Sequence, residues 1–276
     1  MQSIHSSLGT PFWGETTSYL KYDYVISRYV AEFINTLSSL AFAVYGVYGL
    51  SKPGHNGQTR ARLLSYGGLI GVGICSASYH MTLKYHTQMS DELSMHLLTT
   101  PMVYRLLTFK SSPQRTKVVA VLLTIIFTVV MVTHMVMDEF LLHATTFGLA
   151  VYLIATRTLK LISQQVPDER IRKNLRNVAL FGCFNFAFGY LVWLLDDWLC
   201  SLLTSMKHSA GLPLAFFLEL HGWWHIFTCI GGYVGVALID AITSGEVHED
   251  PVQHLAWPVP SAARLLAGVH ASPKHG

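Results

Sequence analysis

Two histidines lie four residues apart within a long apolar stretch of the chain. They are His221 and His225, inside the apolar run 212–238. On an α-helix, residues i and i+4 lie on the same face, so both imidazoles can bind one metal ion. Histidine is costly to place in an apolar run, and this pair therefore marks a candidate functional site.

A second polar cluster lies earlier in the chain. Ser76 precedes His80 by four residues, and Asp91 follows at a short distance. Three histidines and an acid are the side chains of a catalytic zinc site with one open position. In such a site His80, His221 and His225 would bind zinc. Asp91 would exchange protons with the attacking water and the leaving group, and Ser76 would donate to the oxyanion.

The composition indicates a membrane protein. Hydrophobic residues make up 51% of the chain, charged residues only 13%, and the mean hydropathy is +0.38. Positions that face lipid need no charge, which explains this balance. The net charge of +3 gives no indication of nucleic-acid binding. A hydrolytic site within a bilayer implies a lipid substrate that enters sideways and carries an amide or ester bond.

The apolar segments predict an all-α membrane protein, a seven-transmembrane helix bundle. The predicted spans are about 31–50, 63–83, 90–109, 118–137, 140–155, 178–195 and 212–239. Pro213 suits the first turn of the last span. An interfacial N-terminal segment would cover 1–30, the seven-helix domain 31–240 and a cytosolic tail 241–276. We expect the tail to be poorly ordered except for an amphipathic piece near 262–269.

Positive charges predict the orientation of the bundle. Lysine and arginine concentrate in the loops between spans one and two, three and four, and five and six. By the positive-inside rule the N-terminus is lumenal or external and the C-terminus is cytosolic. The end of span two, the start of span three and the first half of span seven then lie at similar depth. This topology brings His80, Asp91 and the histidine pair together.

Several polar residues also have simpler interpretations. Taken singly, His96, His134 and His143 are expected to be hydrogen-bonded packing residues. Glu32 and Asn35 lie where the first span begins, and they could cap that helix or bind a cation through oxygen ligands. The four cysteines fall in or beside apolar segments without a CxxC pair, so we expect reduced thiols.

Blocks across most of the chain resemble the alkaline ceramidase family. They are Phe12-Trp13-Gly14, Ala31-Glu32-Phe33, Tyr79-His80-Met81, Asp91-Glu92-Leu93 and His221-Gly222-Trp223-Trp224-His225. The wider superfamily includes the adiponectin receptors. The resemblance implies a seven-helix intramembrane zinc amidase that cleaves ceramide into a sphingoid base and a fatty acid. It implies zinc on the three histidines, a catalytic acid at Asp91 and an oxyanion serine at Ser76.

One segment departs from the family pattern. Related ceramidases carry an acidic stretch before the first span, where calcium binds, but here Lys21 replaces an acid. Asp23 and Glu32 remain as carboxylates that could bind calcium, although the departure argues against it. Lys21 could instead neutralise Glu32. The departure also removes a cysteine that could pair with Cys200, so the resemblance implies an unpaired Cys200.

The sequence is compatible with three functions. The first is an alkaline ceramidase of the endoplasmic reticulum or Golgi membrane, acting on ceramide, dihydroceramide or phytoceramide. The second is a seven-helix receptor or scaffold with a structural zinc, which would not need Ser76 or Asp91. The third is a hydrolase of the same fold acting on another lipid, such as a glycerolipid ester. Serine and aspartate in register with His80 favour an enzyme.

Overall fold

The computed structural model describes residues 26–52, 59–137, 140–244, 247 and 250–266. Within these ranges the protein is built from α-helices and short 3₁₀ turns, without a β-strand. The helices are α1 Phe33–Ser51, α2 Thr59–Thr82, α3 Tyr85–Thr108, α4 Pro113–Met137, α5 Phe140–Gln165, α6 Glu169–Trp198, α7 Cys200–Ala210, α8 Leu220–Thr243 and α9 Val259–Leu266. The prediction of an all-helical fold is therefore confirmed.

Seven of the described helices are long, and each corresponds to one predicted span. Five of them, α1, α4, α5, α6 and α8, are long and apolar enough to cross a membrane. The other two long helices, α2 and α3, are more polar because they carry charged residues and several buried polar side chains. Several apolar spans make the chain a multi-pass membrane protein. The count of seven crossings and their orientation stay predictions.

Three helix boundaries differ most from the predicted spans. Helix α5 continues to Gln165, and helix α6 already begins at Glu169. Long basic side chains can continue a helix beyond its apolar part. The prediction that Pro213 lies in the first turn of the last span is wrong. Gly211, with a φ of 63°, ends α7, and a 3₁₀ turn follows Pro213 before α8 begins. A positive φ costs glycine little, so the chain turns there.

Helix α8 forms the centre of the bundle, whereas α4 and α5 form its periphery. Most of α8 is buried, and its side chains supply much of the hydrophobic core. The only buried side chains of α4 are Met131 and His134. Its remaining faces expose valine, leucine and isoleucine, and α5 exposes Phe140, Leu141, Leu149 and Tyr152. Apolar surface of this extent is stable against lipid chains but not against water.

The end of the bundle away from the histidines carries a buried ion network. Asp240 of α8 accepts from Arg62 of α2 at 2.5 Å and from Arg105 of α3 at 3.3 Å. Arg62 also donates to the carbonyl of Gly49, and Arg105 donates to the hydroxyl of Thr243. One carboxylate thus joins the ends of α2, α3 and α8.

The described part of the C-terminal segment packs against this same end. Val252 and Val259 are fully buried, although both precede the stretch 262–269 where we expected order. The backbone amide of Ala256 donates to the Tyr233 hydroxyl at 3.0 Å, and Tyr45 donates to the carbonyl of Trp257 at 2.7 Å. The packed stretch is therefore longer than expected, because apolar residues spaced along it reach the core.

Candidate metal centre and active site

Three imidazoles meet at one end of the bundle. His80 lies in the last turn of α2, and His221 and His225 lie in the first turns of α8. Their candidate ligand atoms all lie within 4.8 Å of one another, and their ring centroids are 4.7–4.9 Å apart. His80 and His225 are buried and His221 is partly buried. The structure thus brings together the three histidines that the sequence pattern selected, as a group that could hold a metal ion.

A backbone contact fixes which residues approach this three-histidine cluster. The amide of Ala31 donates to the carbonyl of Met81, and the amide of Glu32 donates to the carbonyl of His80. These bonds hold the residues before α1 against the end of α2. The Glu32 side chain therefore enters the cluster from the start of the first helix.

Glu32 is bonded to a histidine rather than acting as a side-chain cap. Its Oε2 lies 2.5 Å from Nδ1 of His80 and accepts from the Asn35 amide at 3.1 Å. As the N-cap of α1 its side chain makes no capping bond. A carboxylate on Nδ1 leaves Nε2 of the same ring free for a metal ion. The other residues of the expected calcium segment, Lys21 and Asp23, lie outside the described residues.

Two serines of α1 orient His225 in a similar way. Ser38 Oγ lies 2.9 Å and Ser39 Oγ 3.3 Å from Nδ1 of His225. Ser39 donates its own proton to the carbonyl of Asn35 at 2.7 Å. It therefore faces the imidazole as an acceptor, which requires a proton on Nδ1. Nε2 of His225 is again left for a metal ion.

Ser76 and Asp91 lie beside the cluster. Ser76 is buried one turn before His80, and its hydroxyl is 2.9 Å from that of Ser39. Asp91, in the second turn of α3, is partly buried, interacts with the Ser76 hydroxyl and faces His80. The arrangement combines a carboxylate that can carry a proton with a hydroxyl that can donate to an anion. Those are the groups required for general acid-base catalysis next to a metal.

An apolar groove lies on one side of the bundle, and its lining comes within one residue of Ser76 in the sequence. It has a volume of about 460 Å³ and is lined by residues of α2, α3 and α4. Cys75, adjacent to Ser76, lies at one end, and Leu63 lies at the other. Twelve residues of helix span about 18 Å, which is long enough for much of an alkyl chain. A Cβ atom added at Gly67 or Gly71, both in the groove wall, would meet nothing within 4 Å.

Sequence reasoning missed two parts of this end of the molecule. It did not single out Ser38 and Ser39, although both contact His225. It also treated His134 and His143 singly, whereas the structure groups them with Glu92. Glu92 and His96 lie four residues apart, and this spacing could have indicated a second polar group beside α3. All four cysteines of the chain, Cys200 included, have free thiols.

Comparisons with known proteins show which family the chain belongs to. The family model described as Ceramidase matches residues 14–266. Alkaline ceramidase YPC1 of Saccharomyces cerevisiae is 32% identical over 248 residues, covering 83% of this chain and 77% of that protein. Alkaline ceramidase 3 of Mus musculus is 28% identical over 229 residues, with 82% and 84% covered. Alkaline ceramidase 1 of Homo sapiens is 25% identical over 244 residues, with 84% of each covered. The chain therefore belongs to the alkaline ceramidase family.

Proposed function

We propose that this protein is an intramembrane zinc-dependent amidase that hydrolyses ceramide to a sphingoid base and a free fatty acid. The observation that carries the proposal is the meeting of three imidazoles with Asp91 and Ser76 at one end of the bundle. Members of this family are hydrolases that act on the ceramide amide bond, and the relatives that match this chain are named alkaline ceramidases.

Zinc suits the donor set of the three-histidine cluster. Neutral imidazole is a preferred zinc ligand, and three protein ligands leave a fourth position for chemistry. Hydrogen bonds to Nδ1 of His80 and His225 leave Nε2 of both rings as the ligand atoms. When bound, zinc supplies a Lewis acid and a water nucleophile that is active near neutral pH.

The protein's own side chains carry the proton transfers. Water adds to the amide carbon while Asp91 accepts the proton that this water loses. Ser76 donates its hydroxyl to the carbonyl oxygen as that oxygen gains negative charge. The C–N bond then breaks, and Asp91 returns the proton to the nitrogen of the departing sphingoid base. The products are a carboxylic acid and an amine, which balances the addition of one water.

Glu32, Ser38 and Ser39 act by positioning the imidazoles. Each residue fixes a ring through Nδ1, and such supporting contacts typically change metal affinity by about 10–100-fold. Because the Glu32 carboxylate is bonded to His80, its role in this proposal is to orient that ring rather than to bind calcium.

The membrane arrangement follows the predicted topology. All seven long helices cross the bilayer, with the N-terminus lumenal or external and the site near that side. A lipid enters sideways from the bilayer, and one of its alkyl chains lies in the groove between α2, α3 and α4. We assign the protein to the endoplasmic reticulum or Golgi membrane.

The test is fatty-acid release from ceramide by the purified protein in detergent, measured together with zinc content. Wild type is expected to release fatty acid, and Asp91→Ala is expected to lose the activity while retaining zinc. Glu169→Ala, which removes an exposed acid at the start of α6, is the control and should keep both.

Each alternative function has its own result in this experiment. Zinc without release from any lipid would indicate a receptor or scaffold and overturn the proposal. Release from a monoacylglycerol ester but not from ceramide would indicate a hydrolase of another lipid. Activity in protein without bound zinc would overturn the metal-dependent mechanism.

A further inference from the structure

A second group of buried polar side chains lies on α3, α4 and α5. Glu92, His134 and His143 each offer one ligand atom, and these atoms all lie within 4.8 Å of one another. All three residues are at most 8% exposed. His96 lies beside them on α3, with its ring centroid 5.1 Å from that of His143. We call Glu92, His134 and His143 the Glu92 cluster.

The side chains of the Glu92 cluster converge from three helices. One carboxylate oxygen of Glu92 accepts from Gln88 at 3.0 Å, and the other contacts Nε2 of His134. The rings of His134 and His143 stack with their centroids 5.2 Å apart. A carboxylate and two imidazoles are thus held close together inside the protein.

Two nitrogens of this region lack the partner that burial requires. Nδ1 of His143 and Nε2 of His96 are buried and have no hydrogen-bond partner in the part of the chain that the structure describes. His143 is 3% exposed and His96 is 6% exposed. Buried polar atoms are nearly always satisfied, and few waters are available at membrane depth. A cation within the cluster would give these lone pairs a partner.

We propose that the Glu92 cluster binds a second zinc ion, separate from the one in the active site. Two imidazoles and a carboxylate are typical zinc ligands, whereas calcium and magnesium prefer oxygen atoms alone. His96 lies outside the group whose ligand atoms are within 4.8 Å of one another, but its ring centroid is 5.1 Å from that of His143, and the proposal takes it as the fourth ligand. Four protein ligands with no open position are the mark of a structural zinc site.

A zinc ion at this position would hold α4 against the rest of the bundle. Helix α4 has only two buried side chains, and one of them is His134. Helices in a bilayer gain little from hydrophobic burial, so α4 needs specific contacts to hold it against the bundle. A zinc ion bound by Glu92, His134 and His143 would fasten α4 and α5 to α3. Asp91, the neighbour of Glu92, remains available to the active site.

The experiment is the zinc content per chain of full-length protein purified in detergent and measured by mass spectrometry. We expect two zinc ions in wild type. One should remain in the His221→Ala/His225→Ala variant, one in the His134→Leu/His143→Leu variant, and none when the four substitutions are combined. The control is His208→Ala, an exposed histidine of α7, which should keep both ions.

A single zinc ion in wild type would overturn the proposal. So would a His134→Leu/His143→Leu variant with the wild-type content. If wild type and the His221→Ala/His225→Ala variant both contained two ions, and the His134→Leu/His143→Leu variant contained one, the proposed active-site zinc would fail. The zinc proposed for the Glu92 cluster would stand.

Cobalt binding tests the same site without leucine substitutions, which can prevent folding. Cobalt(II) added to the metal-free His221→Ala/His225→Ala variant should give visible absorption bands of a four-coordinate ion. Glu92→Gln in that background should shift the bands and weaken binding at least 10-fold. The absence of visible bands, or bands unchanged by Glu92→Gln, would overturn the proposal.

Discussion

Asp91 and Glu92 are adjacent in the chain but face different polar clusters. Asp91 lies beside Ser76 and His80, whereas Glu92 contacts His134. Consecutive residues of an α-helix point about 100° apart, so one turn of α3 can serve both clusters. Two carboxylates that look equivalent in the sequence therefore lie in separate surroundings, and we expect substitutions at each to give different results.

Replacing Asp91 by asparagine should abolish proton transfer without removing the metal. We expect Asp91→Asn to lower kcat by about 10²–10⁴-fold, the range for loss of a general acid-base group. Zinc content should stay at the wild-type value, because Asp91 lies outside the three-histidine cluster. The measurement is steady-state ceramide hydrolysis with zinc analysis of the same sample. Unchanged kcat would show that another group carries the proton.

Replacing Glu32 by glutamine should weaken zinc binding. The amide cannot accept as strong a bond from Nδ1 of His80, so the ring loses orientation and basicity. We expect a decrease in zinc affinity of about 10–100-fold, measured by competition with a chelator. Glu169→Gln, at an exposed position of α6, is the matched control. If instead Glu32→Gln left zinc affinity unchanged and abolished a response to added calcium, Glu32 would be a calcium ligand.

Filling the groove should impair the binding of long lipid chains. Gly71 lies in the groove wall, and a Cβ atom there meets nothing within 4 Å. We expect Gly71→Phe to lower kcat/KM for long-chain ceramide at least 10-fold, an effect of about 1.4 kcal/mol. Short-chain ceramide should be affected less.

Gly148 on α5 offers a matched control for this prediction. It is exposed and has equally open space for a side chain, but it lies outside the groove. Gly148→Phe should leave both substrates unaffected. Equal losses for short and long chains in Gly71→Phe would show that the groove does not hold the substrate.

Replacing Asp240 should lower the stability of the fold without acting directly on the chemistry of the site. Asp240→Ala leaves Arg62 and Arg105 buried without their carboxylate partner, and breaking a buried ion pair in this way costs about 3–5 kcal/mol. The expected result is a large decrease in Tm, measured on detergent-solubilised protein. Asp197→Ala, at an exposed position near the end of α6, should leave Tm unchanged. An unchanged Tm in Asp240→Ala would show that solvent reaches the network.

The sequence predicted the long helices and the histidine pair from local patterns, and the predicted topology then brought His80 to that pair. Apolar runs mark the helices, and the spacing of His221 and His225 is visible in a single turn. The contact of Glu32 with His80 depends instead on backbone bonds between the start of α1 and the end of α2. No local pattern encodes such a pairing, so Glu32 was interpreted as a cap or calcium ligand.

The same distinction explains the other differences. His134 and His143 lie on different helices, and their relationship to Glu92 exists only after α3, α4 and α5 have packed. The start of α8 was placed too early because Pro213 is compatible with a first helical turn, while Gly211 redirected the chain before it. Residues such as Val252 were assigned to a loose tail because their partners lie in distant helices.

Helix α8 supplies two of the three histidines, and it leaves the ribosome after the other six long helices described above. At typical rates of synthesis, roughly 10–30 s separate the emergence of His80 from that of His221. During that interval the nascent protein already holds Ser76 and Asp91 but lacks two of the three imidazoles that we propose as zinc ligands. If the proposed mechanism holds, a chain that stalls before α8 is inert, and the host membrane meets no hydrolase activity until α8 has been synthesised.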